Sequence, residues 1–266
     1  MADDLDALLP PAIAAKAVQV GVNKAALPLR RLIPLGVLAG SFISLGAHFS
    51  TLITADTGLS PGISRLLGGL VFSLGLVLVV VSGAELFTGN TLIVIATASR
   101  KVRLRSLLRN WVVVYLANFA GAVATALLVV GSGRLDAGDG SVGARAVSIA
   151  TAKADLPFGE ALISGMLANC LVCLAVWMTL SARSLVDKVV AIVPPITAFV
   201  AAGFEHSVAN MYFFPAALFH DSSIDVTWGD FLLRNLVPVT IGNIIGGAVL
   251  VGLVYWFVYL RADHSG

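Results

Sequence analysis

Residues 83–91 read GAELFTGNT and residues 203–211 read GFEHSVANM. Each stretch interrupts a long uncharged run: residues 66–84 and 86–99 carry no charge on either side of Glu85, and Glu205 alone breaks the run 189–219. Both follow the pattern Gly-x-Glu-x(4)-Asn, 120 positions apart. An ionisable group within an apolar membrane segment is expensive and marks a pathway or a specific partner. Two such interruptions in one pattern imply a paired device.

Working outward, the surroundings are those of a polytopic membrane protein. Hydrophobic residues make up 58% of the 266 positions and charged residues 12%, and the mean hydropathy is +0.94. A soluble domain carries about a quarter charged residues, so that class is excluded. A hydrocarbon core of roughly 30 Å needs about 20 apolar residues of helix. Four uncharged runs meet this length cleanly: 32–55, 110–133, 161–182 and 235–260. The two interrupted regions, 66–99 and 189–219, each read as one broken span, because pieces such as 86–99 or 189–204 reach only about 21 to 24 Å as helix. The fold class is therefore all-α with six transmembrane spans.

The repeat extends beyond the breaks. LLRNWVVVYLANFAG at 107–121 and LLRNLVPVTIGNIIG at 232–246 agree at eight of fifteen positions, including Arg, two Asn and Gly, at an offset of 125. Shared hydrophobicity does not produce identical polar letters. With three spans per half, the second half enters the membrane in the opposite sense, which defines an inverted 3+3 repeat with two broken helices. The whole chain, 1–266, reads as a single channel domain: a cytoplasmic N-terminal helix within 1–31, a first repeat at 32–133 and a second at 157–260.

Several smaller features complete the reading. Pro10 and Pro11 open a helix from about residue 12 to 26 that reads as interfacial, and the acidic start lacks the basic n-region of a signal peptide. Lys and Arg are biased: 12 of 17 lie in the N-terminal segment, the 100–109 loop, the 183–188 loop and Arg261, against Arg65, Arg134, Arg145, Lys153 and Arg234 on the other side. By the positive-inside rule both termini are cytoplasmic. The net charge of +2 and the absence of a basic patch with interleaved aromatics give no sign of a nucleic-acid partner. Cys170 and Cys173 form a C-x-x-C inside a span with no second pair and no histidine cluster; packing accounts for them better than a metal or redox role. His48, His220 and His264 read as solvated residues at span ends or in the tail.

At the breaks, Gly83, Gly89 and Gly203 supply backbone freedom, while Thr88, Asn90, Ser207 and Asn210 satisfy freed backbone groups. Glu85 and Glu205 read as structural, accepting from exposed N–H groups or capping a half-helix. The GxxxG runs 36–40 and 242–246 and the related 117–121 favour close helix contact, within or between protomers. His206 is the group nearest physiological pH in its titration and sits within a break, which makes it the foremost functional residue. Two other classes fit poorly. The chain has no Asn-Pro dipeptide, which speaks against a water or glycerol channel, and adjacent His206 and Ser207 do not face each other on a helix, which speaks against a hydrolase.

The segments GAELFTGN, ANCLVCLAVWM and AAGFEHSVANM resemble signature segments of the formate/nitrite transporter family, and VPVTIGNIIGGAVLVGLVYWFVYLR resembles the last span of its formate-channel subgroup. The resemblance covers nearly the whole chain. It implies an aquaporin-like helical fold, a homopentamer in membrane lipid with one pore per protomer, a bacterial inner membrane location, and passage without cofactor or metal of formate, nitrite and related monovalent anions such as lactate, acetate or hydrosulfide. It implies a substrate pathway through Thr88 and His206, with Asn169 and Lys153 towards the opposite mouth. It further implies a cytoplasmic constriction at Phe72, Leu76 and Phe199 and a second at Phe87 and Val172. Gly89-Asn90 departs from the formate subgroup and is closer to nitrite- and hydrosulfide-channel members.

Overall fold

A computed structural model describes residues 7–261. Among these residues every regular element is helical. Six helices are long and apolar enough to cross a membrane: Leu29–Ile53 (α2), Pro61–Ser82 (α3), Leu104–Gly131 (α5), Phe158–Ser181 (α7), Leu185–Ala202 (α8) and Asp230–Tyr259 (α10). Pro10–Ala25 (α1) and Ser141–Ala154 (α6) precede the two halves. The short apolar helix Phe87–Ala98 (α4) and Ser207–His220 (α9) follow the two breaks. Exposed Leu, Ile, Val and Phe side chains on all six spans present the apolar surface that lipid requires.

The interruptions fall at helix ends. Where the sequence suggests two short halves of one span, α3 runs for 22 residues before it stops, and α8 begins at Leu185, four residues earlier than the charge-free run, to reach 18. The start of α8 is set by Ser184, whose side chain accepts from the Asp187 N–H while Asp187 Oδ2 accepts from the Ser184 N–H, a capping box. Both helices stop at a glycine in the left-handed region, Gly83 at φ 75° and Gly203 at φ 78°. Ala84 N–H then donates back to Val79 O and Phe204 N–H to Phe199 O, the closing bond of a Schellman turn.

Glycines also set the distance between spans, and they do so inside the protomer. A side chain at Gly40 would strike the Asn118 backbone and one at Gly121 the Val37 carbonyl, which welds α2 to α5. In the other half, Gly242 faces the Leu162 carbonyl and Gly246 the Met166 carbonyl, which welds α7 to α10 in the same way. Two stretches of α10, Asp230–Leu236 and Ile245–Leu253, wind as π-helix. At Gly247 a side chain would meet Thr91 Oγ1, Asn169 Nδ2 and Cys173 Sγ, so α10 passes against the first break with no room to spare.

The N-terminal helix is docked on protein. It buries Ile13, Ala14, Ala17, Gly21 and Ala25, and a side chain at Gly21 would meet Ala96 of α4 at 2.9 Å. Its small residues explain the difference from an interfacial helix: they permit close packing on α4, whereas a lipid-bound face needs large apolar groups.

Candidate functional site

Each break is held by the same set of side chains. In the first, Glu85 Oε1 accepts from Lys24 Nζ at 2.7 Å and Oε2 from Asn90 Nδ2 at 2.7 Å. Asn90 also donates to Asn110 Oδ1 at 2.9 Å, and Asn110 Nδ2 donates to the Lys24 carbonyl at 3.1 Å. In the second, Glu205 accepts from Lys153 at 2.6 Å and from Asn210 at 2.7 Å, Asn210 donates to Asn235 at 2.7 Å, and Asn235 to the Lys153 carbonyl at 3.0 Å. The buried carboxylates are thus neutralised by cations from α1 and α6, which begin before the 32–133 and 157–260 bounds of the two repeats. A buried charge is tolerable only when paired and hydrogen-bonded.

The extended backbone of each break is satisfied by one asparagine of the half's last span. Asn118 Oδ1 accepts from Phe87 N–H while its Nδ2 donates to the carbonyls of Gly36 and Glu85. Asn243 does the same for Ser207 N–H, Gly165 and Glu205. Non-helical backbone at membrane depth persists only where protein meets its polar groups. Asn110, Asn118, Asn235 and Asn243 are the asparagines shared by the 107–121 and 232–246 repeat, the signal in the sequence from which they could have been found. The residues expected to meet the backbone, Thr88, Asn90, Ser207 and Asn210, do other things: both asparagines grip carboxylates, and Ser207 Oγ is buried without a hydrogen-bond partner.

Where the repeat is symmetric it is scaffold; where it departs from symmetry it forms a site. His206 corresponds to Leu86 and Thr88 to Val208. His206 Nε2 lies 2.9 Å from Thr88 Oγ1, with both side chains buried. His206 is also the N-cap of α9, its Nδ1 accepting from the Ala209 N–H at 3.1 Å. A backbone amide can only donate, so Nδ1 is unprotonated and the neutral imidazole carries its proton on Nε2, assigned from the hydrogen-bond network. His206 therefore donates to Thr88 Oγ1, and the Thr88 hydroxyl proton is left to donate elsewhere. A second proton would have to enter at Nδ1, at the cost of the helix cap.

Two cavities approach this pair from opposite sides. One, of about 420 Å³, is lined by His206, Phe72, Phe199, Lys153 and Glu205. The other, of about 270 Å³, is lined by Leu76, Val79, Leu86, Gly89, Lys24 and Glu85. In the first, Phe72 and Phe199 meet edge to face with centroids 5.6 Å apart, and the Phe199 ring is 5.8 Å from that of His206.

This geometry corrects several expected placements. Phe72 and Phe199 share the Lys153 cavity, and Leu76 belongs to the other, so the three do not form one constriction opposite Lys153. Phe87 packs edge-on against Tyr115 and Trp111 at 4.8 and 6.4 Å, and Val172 is buried; neither lines these two cavities, whereas Leu86, which sequence reasoning passed over, lines the second. Asn169 is no mouth residue: it donates to Asn243 O at 2.6 Å, Thr91 Oγ1 at 3.2 Å and Thr88 O at 3.3 Å, bracing Thr88 from behind. Gly89 makes no turn, since it lies in the α4 helix and a Cβ there would meet only Val176 at 3.6 Å. Cys173 Sγ contacts Thr91 Oγ1 at 3.3 Å and Cys170 Sγ contacts the Gly246 carbonyl at 3.4 Å. His48 lies within α2, its ring 6.3 Å from that of Tyr212, and His220 ends α9 with Nδ1 3.9 Å from Asp136 Oδ1; His264 lies outside the described residues.

Two inverted halves whose breaks converge on a buried polar pair between opposed cavities define a membrane transport protein of the broken-helix, inverted-repeat class. Within that class, residues 11–257 match the family model described as formate/nitrite transporter. The chain belongs to the formate/nitrite transporter family. It is 44% identical to the formate channel FocA of Escherichia coli (strain K12), with 97% of each chain covered. It also resembles a solved structure described as a pentameric formate channel with formate bound, at 40% identity and a TM-score of 0.82, covering 88% of this chain and 98% of that one. A second solved structure, described as a family ion channel, matches at 32% identity and the same TM-score of 0.82, covering 97% and 99%.

Proposed function

We propose that this protein is a formate channel, and that the Thr88–His206 pair is its selective step. The observation that carries the reading is the 2.9 Å contact between Thr88 Oγ1 and His206 Nε2, the buried polar contact at which the repeat loses its symmetry. A monovalent anion arriving past Phe72 and Phe199 meets the free Thr88 hydroxyl proton and, when the pair parts, the Nε2 proton of His206. Ahead lie Leu76, Val79 and Leu86, an apolar ring through which a bare carboxylate passes at great cost and its neutral acid far more readily. For proton transfer, His206 must first take a proton from cavity water at Nδ1, giving up its bond to the Ala209 N–H. The imidazolium then gives its Nε2 proton to the anion, which moves on as the neutral acid and leaves His206 neutral. This proton uptake makes the passage pH-sensitive. Nitrite fits the same chemistry, and hydrosulfide, lactate and acetate are the further candidates for a substrate panel. If the proton travels with the anion, the same site runs as a proton-coupled symporter. Alkalinisation of the source compartment in step with formate uptake would distinguish that mode.

The membrane is a bacterial inner membrane with both termini cytoplasmic, in keeping with the placement of 12 of 17 basic residues; this puts the Lys153 cavity on the outer side. The solved relative described as pentameric supports a homopentamer in lipid, with one pore per protomer. We assign no cofactor, metal, nucleic-acid partner or catalysis. His206 spends both ring nitrogens on Thr88 and Ala209, so it is not set to activate Ser207 as a nucleophile.

The test is uptake by vesicles holding the purified chain. Formate should enter faster than chloride or glycerol, and His206→Phe should change both the flux and its dependence on pH. Thr88→Val, which removes the hydroxyl in contact with His206, should lower flux about 10-fold or more, as for loss of a buried hydrogen bond to the charged anion. Unaltered pH-dependent flux in His206→Phe would refute the assignment.

A further inference from the structure

The two cavities are built on matched Lys–Glu pairs, yet their charges differ. Around the inner cavity Lys24 and Glu85 cancel. Around the outer cavity Lys153 and Glu205 cancel in the same way, but Arg65 of α3 and Arg145 of α6 line the wall as well. Among the described residues no carboxylate lies within ion-pair distance of either guanidinium; Arg145 Nε donates to Thr54 Oγ1 at 3.2 Å, which leaves its other donors for the cavity. Burial and then the neighbouring Arg65 charge lower the Arg145 pKa from its ordinary value, so the two cations are near enough to repel. Both also stand on the side that the positive-inside bias leaves poor in basic residues, where three of only five Lys and Arg converge on one cavity. Lys153, which the family resemblance places towards this mouth, is already committed to Glu205 at 2.6 Å.

We infer that Arg65 and Arg145 form an anion-capture site in the outer cavity, where a small carboxylate or oxyanion binds before it reaches Thr88 and His206. A guanidinium presents paired donors that match a carboxylate. An anion between two cations that otherwise repel relieves their repulsion, and a low-dielectric wall focuses their field. Ser50, Thr54 and Ser148 in the same lining supply hydroxyls but no competing negative charge. The site rests on the reading of the chain as an anion channel and deepens it: capture and selection are separate, the first electrostatic, the second by hydrogen bond and proton.

The experiment measures formate uptake by vesicles carrying the full chain, as a function of formate concentration at low and high ionic strength, for the parent, Arg65→Gln, Arg145→Gln and the double variant. In the parent the apparent KM should rise with salt. In the double variant KM should be raised at low salt by about 10-fold, within the range that electrostatic focusing supplies, with a maximal rate close to the parent's and the salt response lost. Arg65→Lys, which keeps the charge, should retain most of the salt response. Among the described residues Arg65 has no side-chain hydrogen bond to lose, so Arg65→Gln carries the test if Arg145→Gln fails to fold. Parent-like KM and salt dependence in Arg65→Gln and the double variant would overturn the site. If the parent itself carries no formate, the channel reading fails instead, and the site is judged by line broadening of 13C-formate on the solubilised protein: broadening abolished in the double variant upholds it, and equal broadening or none in the parent rejects it.

Discussion

At the scale of single residues, the two break glutamates show how an intramembrane charge is made tolerable. Glu205 is nearly inaccessible, and the Lys153 side chain is 15% exposed, so the pair is a buried one. Truncating one partner of such a pair leaves the other charge uncompensated and costs on the order of 3 kcal/mol. Lys153→Met should lower the melting temperature of the detergent-solubilised protein markedly, and adding Glu205→Gln should restore much of the loss. Lys24→Met should cost less, because Lys24 is 28% exposed and water compensates part of the charge. Equal destabilisation by the single and double changes at Lys153 and Glu205 would show that the two do not act as a pair. The sequence displayed both glutamates, and their partners stayed hidden, because Lys24 and Lys153 lie 61 and 52 positions away on helices that look like surface helices in one dimension.

At the scale of elements, the breaks are helix terminations enforced by backbone geometry. Gly83 and Gly203 hold positive φ with nothing within 4 Å of a built Cβ. Gly83→Ala should therefore destabilise through the backbone alone, by about 1 to 2 kcal/mol. Gly89→Ala should leave the melting temperature within a degree or two, since its Cβ finds only an ordinary contact with Val176, while narrowing the inner cavity and slowing flux. Gly121→Val should fail at the α2–α5 weld, where the Val37 carbonyl occupies the space of a side chain. Thermal unfolding and vesicle uptake on the three variants separate these outcomes. The glycine spacing was readable as close helix contact, but whether the partner was another protomer or the same chain was not, because a GxxxG face fits either.

For the whole molecule, the spans expose an apolar surface, and the proposed pentamer would cover part of it with neighbouring copies and leave the rest to lipid. The native mass of the purified protein in detergent should correspond to five chains of 27.6 kDa; a monodisperse monomer that still conducts formate would remove the pentamer from the mechanism without touching the pore. Matched halves build a rigid frame, and the buried pair departs from it: Leu86 stands where the second half has His206, and Val208 where the first has Thr88.

By itself the sequence determined the six spans, the inverted halves and the two breaks, because these follow from hydrophobic run length, charge bias and identical polar letters, all of which are local or periodic along the chain. His206 stood out by its type and its place in a break, while Thr88 entered the pathway only through the family resemblance. Only the tertiary structure decided that Lys153 is spent on Glu205, that Leu86 and not Phe87 lines the inner cavity, that Phe72 parts company with Leu76, and that two arginines from α3 and α6 meet across one wall. Which way a side chain points near a break depends on how the chain leaves its helix, and which charges cancel depends on distances between segments far apart in sequence; neither is written in the order of the residues.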